Sequence, residues 1–145
     1  MTKATISTAI ALFGTAIAKA LGGWDSAMTT LLIIMGIDYI TGMMVALVWK
    51  KSPKTPTGAA DSTVGFKGIC KKGLILLVVL IAVRLDITLN LAGAARLATI
   101  LFFIGNEGLS IIENLGIMGV PLPDIVKKSL NKLKDDNDEK DDGNG

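Results

Sequence analysis

The sequence predicts an all-α fold: a small integral membrane helical bundle of three transmembrane helices, preceded by an N-terminal helix that is either amphipathic or a fourth span. Three observations predict it. Residues 27–49 form an almost unbroken apolar run, and about 23 residues at about 1.5 Å each make a helix of about 35 Å, enough to cross a hydrocarbon core of about 30 Å. Two further runs, residues 73–93 and 97–118, complete the set of spans. The chain as a whole is 145 residues long and 50% hydrophobic, with a mean hydropathy of +0.55. That is greasy for a soluble domain and short for an enzyme.

Residues 4–21 place Ile6, Ile10, Phe13, Ile17 and Leu21 at helical spacing, with Thr5, Thr8, Thr15 and Lys19 mostly elsewhere. Three placements compete. The helix lies in the interface, makes a short extra span, or is a signal peptide with Lys3 as its basic end and Ala18-Lys19-Ala20 as a cleavage-like site. Gly22 and Gly23 then break it.

The first span, residues 27–49, is framed by Trp24 and Trp49 and backed by Lys50 and Lys51, the pattern of an aromatic belt with a basic flank. Asp38 sits at its midpoint. A carboxylate there costs about 2.5–3.5 kcal/mol on insertion scales, so it must be protonated, paired, or turned to water inside a bundle. Asp38, Thr41, Gly42 and Ala46 share a narrow face whose small residues allow close helix approach.

Residues 50–72 form a linker rich in Gly, Pro, Ser and Thr that carries six lysines against the single Asp61. Lysine-rich short loops stay cytoplasmic, which runs the first span from outside to inside and assigns Lys50, Lys51, Lys71 and Lys72 to the membrane surface. No nucleic-acid partner is needed to explain them.

The second span, residues 73–93, contains Arg84 because its eleven leading apolar residues alone are too few to cross. The third, residues 97–118, follows Arg96. Arg84 lies twelve residues beyond Lys72 and Glu107 eleven beyond Arg96, each about 16–18 Å along its helix from an interface. Asp38, Arg84 and Glu107 therefore can share a level near mid-bilayer and pair there. In the alternative, Arg84 snorkels outward from a short span and only the carboxylates are deep.

On the third helix, Arg96, Thr99, Asn106, Glu107, Ser110, Glu113 and Asn114 fall within an arc of about 120°, set against Leu101, Ile104, Ile111 and Leu115. Such a stripe lines water, pairs with other polar faces, or makes the helix amphipathic enough to leave the bilayer core. Pro121 and Pro123 end the helix. Residues 124–134 make a short amphipathic segment whose Lys127 and Lys128 suit an anionic inner leaflet and whose charge places the C-terminus in the cytoplasm. Residues 1–134 thus read as one membrane domain. Residues 135–145, which hold six carboxylates, read as a disordered acidic tail.

The function classes excluded are broad. The chain has no histidine, which removes Ser-His and Cys-His nucleophiles and most zinc sites. Its one cysteine, Cys70, cannot form an internal disulfide. No catalytic residue, metal site or cofactor is expected. The bilayer and further copies of the chain are the partners the residues themselves require.

The order of motifs resembles the phage lysis and toxin-secretion holins of the clostridial type, over about residues 22–134. It is carried by Gly22-Gly23-Trp24-Asp25, Asp38-Tyr39-Ile40-Thr41-Gly42, and Val64-Gly65-Phe66-Lys67-Gly68 with Lys71 and Lys72. The most specific block is Asn106-Glu107-Gly108-Leu109-Ser110-Ile111-Ile112-Glu113-Asn114, followed by Gly119-Val120-Pro121-Leu122-Pro123. The resemblance implies a protein of the bacterial cytoplasmic membrane that accumulates, then oligomerises into lesions releasing an endolysin, or in some relatives a toxin, without binding its cargo directly. The loop at residues 53–61 looks longer than usual for the group, and the acidic tail looks like an extension. The dual start that makes an inhibitor in some holins looks absent, since the methionine after Met1 is Met28. The residues alone leave two competing functions, a small ion-coupled transporter in which Asp38 or Glu107 carries a proton and a passive membrane anchor or assembly factor.

Overall fold

The computed structural model describes the backbone of residues 1–141 and the side chains of residues 1–133 and 135. The described residues are helical with no strand: α1 (Lys3–Ala20), α2 (Ser26–Met44), α3 (Ser62–Leu89), α4 (Ala94–Ile117) and α5 (Asp124–Asp141). A five-residue π-turn, Val45–Trp49, prolongs α2. Local chemistry sets the boundaries. Thr2, Asp25 and Asp61 are N-caps that accept hydrogen bonds from the first turns of α1, α2 and α3. Asn90 ends α3 in the left-handed conformation, which asparagine tolerates, so the helix stops four residues short of the 93 expected from its apolar content.

α4 is the central helix, with α2, α3 and α5 all packed on it. The inward stripe of α2 runs Met28, Leu31, Met35, Asp38, Thr41 and Val45, and that of α3 runs Ile75, Val79, Ala82 and Asp86. Both repeat at three and four residues, the spacing of a packed helical seam. They meet Ile100 and Ile104 of α4, and Leu31, Met28, Val79 and Ile100 are completely buried there. Ile33, Ile37, Ile40 and Leu47 on the far side of α2 stay exposed, a surface suited to lipid.

Two helices, Ser26–Trp49 and Ala94–Ile117, are long and apolar enough to cross a membrane. α3 has 28 residues but carries Lys72, Arg84 and Asp86 at and within its apolar stretch, so of the three expected spans it is the one that composition alone does not qualify. α1 meets the bundle at its C-terminal turn, where Ala18 and Leu21 are buried, and leaves Ile10, Leu12 and Phe13 exposed.

The C-terminal segment differs from expectation in two ways. Nothing in residues 124–141 breaks a helix, and α5 continues to Asp141, through the first seven residues of the stretch read as a disordered tail. Residues 142–145 lie outside the described residues. α5 also folds back onto α4, with Leu130 in contact with Gly108 and Leu133 packed against the core.

Candidate functional site

Two polar clusters sit at opposite ends of the apolar core. The first joins two connections of the chain, α1–α2 and α3–α4, through Arg96. Its Nε donates to Leu21 O at 2.6 Å, Nη2 to Gly23 O at 3.0 Å, and Nη1 and Nη2 to the Asp25 carboxylate at 2.6 and 3.2 Å. Asp86 completes the cluster by accepting the backbone N–H groups of Ala95 and Arg96, both at 2.8 Å, and so caps α4 from the end of α3. Gly22 is required at this point. Its φ is +86°, and an added Cβ would lie 2.5 Å from Arg96 Nε. The Arg96 guanidinium holds the Asp25 carboxyl below the usual carboxylate range, with help from the Met28 N–H.

The second cluster is an ion triad between three helices. Lys72 Nζ of α3 donates to Asp38 Oδ2 of α2 at 2.7 Å and also to Glu107 Oε2 of α4. Asp38 is 6% exposed and Glu107 4%. One to two turns further along α2 and α4, on the cavity side, Asn114 Nδ2 donates to Thr41 Oγ1 at 3.0 Å, and Gly42 lets Asn114 approach, its Cβ position lying 3.7 Å from that amide. Tyr39 lies against Gly65 and Gly68 of α3, within 3.6 Å of where each Cβ would be. The glycines bring α3 close enough for Lys72 to reach across.

A cavity of about 340 Å³ opens above the triad, between α2, the 50–61 loop, α3 and α4. Asp38, Lys72, Asn106, Glu107 and Ser110 form its inner wall, and the exposed Lys54, Lys67 and Lys71 lie toward its mouth. Asp38 Oδ1 is buried without a hydrogen-bond partner, so the inner wall keeps one acceptor for water or another donor.

Several assignments from the sequence change here. Arg84 does not join the carboxylates. It is exposed, two positions past the Ala82 step of the inward stripe, and it makes no ion pair among the described residues. Lys72, assigned to the membrane surface, takes its place with a side chain 17% exposed. The signal was present: Gly65, Gly68, Lys72, Ile75, Val79, Ala82 and Asp86 continue one three-and-four spacing. Lys50, Lys51, Lys71, Lys127 and Lys128 are exposed.

The polar arc of α4 faces inward along one edge only, because the buried direction is rotated from its centre by roughly 90°. Arg96, Glu107 and Asn114 are buried, Thr99, Asn106 and Ser110 are half-buried, and Glu113 is exposed. Ile104 and Ile111, on the apolar side set against that arc, are buried with the first group. The roles of Asp25, Asp86 and Arg96 as one knot were not read from the sequence, since their partners are backbone groups of distant turns.

The profile of the bacteriophage holin family matches residues 15–135. An uncharacterised protein of Clostridium perfringens is 38% identical over 91% of this chain and 93% of its own length. A probable holin of Bacillus phage phi105 is 37% identical over 76% of each chain, and an uncharacterised protein of Bacillus subtilis is 34% identical over 75% of this chain and 72% of its own. No solved structure matches.

Proposed function

Since the chain belongs to the bacteriophage holin family, a group of membrane proteins and not enzymes, we propose that it gathers in the bacterial cytoplasmic membrane into oligomeric lesions. An endolysin, or a toxin, then leaves through them without binding the protein directly. The observation that carries this reading is the Asp38–Lys72–Glu107 triad beneath a polar cavity. Three helices converge on charged groups that none of them can carry into lipid alone. Pairing lowers that cost in a single copy. A ring of copies relieves it further by turning the cavity wall, with Asn106, Glu107 and Ser110, toward water.

In this reading α3 is a third span. Lys72 and Asp86 are satisfied inside the bundle, which leaves Arg84 alone facing outward, where its long side chain reaches the interface. The lysines of the 50–72 segment hold it on the cytoplasmic side and place the C-terminus there too.

The test is induced expression with a cytoplasmic endolysin, followed as culture turbidity, beside release of protein-sized cargo from proteoliposomes. Abrupt lysis after a delay and unselective leakage support the proposal. Saturable, pH-driven flux of one small solute would instead establish the ion-coupled transporter, for which a lysine shared by two buried carboxylates is also a fitting site.

A further inference from the structure

The relation of α5 to α4 holds a conflict. Leu130 sits over Gly108, where an added Cβ would come within 2.7 Å of its side chain. Gly108 is nine residues inside the end of α4, about 14 Å along the helix axis. Yet α5 carries Lys127, Lys128 and Lys132 exposed on its outer sides. With α4 across a bilayer, a docked α5 would hold these lysines against hydrocarbon, where charge is costly.

Val126, Leu130 and Leu133 fall within an arc of about 60° on α5. The same narrow apolar face that covers α4 is the one a basic amphipathic helix buries in a membrane interface. It can serve one surface at a time. The docking is shallow, since Ile125 and Val126 remain 73% and 39% exposed. What it covers is Gly108, which is buried, a small residue that lets another helix approach closely.

We propose that α5 is a strap that keeps the protein monomeric by filling the Gly108 face of α4. Transfer of its basic side to an anionic membrane surface uncovers that face for a second copy. The two surfaces compete for one helix, so lipid charge biases a two-state equilibrium through differential binding. This rests on the reading of the protein as an assembling membrane protein, and it names a condition that permits assembly.

The test uses the full chain labelled with donor and acceptor dyes at Cys70, its exposed cysteine. Energy transfer between copies is measured in vesicles of phosphatidylcholine alone and of phosphatidylcholine with phosphatidylglycerol in equal parts. Wild type is expected to associate at a several-fold lower protein-to-lipid ratio in the anionic vesicles. Replacing Lys127, Lys128 and Lys132 together by Gln should abolish that difference, whereas Leu130→Ser should raise association in the neutral vesicles. Association indifferent to lipid charge, or a Leu130→Ser variant associating no more than wild type in neutral vesicles, overturns the strap. Leakage of an encapsulated endolysin-sized protein, read from the same vesicles, separates the two proposals: a shift in association without leakage keeps the strap and removes the lytic function, and leakage without a shift does the reverse.

Discussion

Lys72 of α3 donates to Asp38 of α2 at 2.7 Å, across the inner wall of a polar cavity and beside Glu107 of α4. One cation thus answers two buried carboxylates, and the three helices are tied at a common level by groups that would each be expensive alone.

Removing the cation is therefore worse than removing the triad. Lys72→Met strands two carboxylates and should destabilise the folded protein in detergent on the order of 3 kcal/mol. Combining it with Asp38→Asn and Glu107→Gln should recover most of that loss. Thermal unfolding of the single and triple variants checks this, and a triple variant less stable than Lys72→Met would contradict it.

The knot at the other end predicts unequal glycines. Gly22→Ala meets both a left-handed backbone and the Arg96 side chain, whereas Gly23→Ala, at φ +100°, meets open space. The first should cost about 2–3 kcal/mol and the second about 1 kcal/mol, the left-handed strain alone. Chemical unfolding of the two variants side by side measures the difference.

Asp25 gives the knot a pH dependence. Its carboxyl lies below the usual value of 3.8 because Arg96, and then the Met28 N–H, favour the charged form. A lowered folded-state value means a stabilisation present above 3.8 and lost as pH falls through the folded value. Asp25→Asn should accordingly be less stable than wild type near neutral pH and converge with it in strong acid. The gap is modest, because half of the Asp25 side chain is exposed. Melting temperatures of both proteins across an acid titration provide the measurement.

Much of this arrangement was legible in the residues. A carboxylate amid apolar neighbours on α2 had to face inward, and Asp38 does, on the stripe from Met28 to Val45. The polar side of α4 was visible, but its orientation was not. Periodicity tells which residues share a face, and only packing decides which edge of it is covered, so Glu107 is buried and Glu113 is not. Lys72 was misplaced for a different reason. A lysine before an apolar run ordinarily marks an interface, and the glycines that carry α3 past Tyr39 extend the buried seam one further turn. The knot of Arg96 was invisible, because half of its partners are carbonyls, which leave no trace in residue type.

The separation of Glu107 from Glu113 yields the prediction closest to function. If lesions require the triad to open and its wall to turn toward water, weakening the triad lowers the barrier to opening. Glu107→Gln keeps the Lys72–Asp38 pair, so the protein folds, but one of the two ion pairs becomes a bond from the ammonium to an uncharged amide and loses its charge–charge attraction. Lysis of cells also making an endolysin should then begin earlier than with wild type. Glu113→Gln changes an exposed group with no ion pair among the described residues, and onset should stay near the wild-type time. Culture turbidity after synchronous induction, at matched protein levels, reads both. Equal onset in wild type and Glu107→Gln would mean that the triad holds the bundle together but does not gate its assembly.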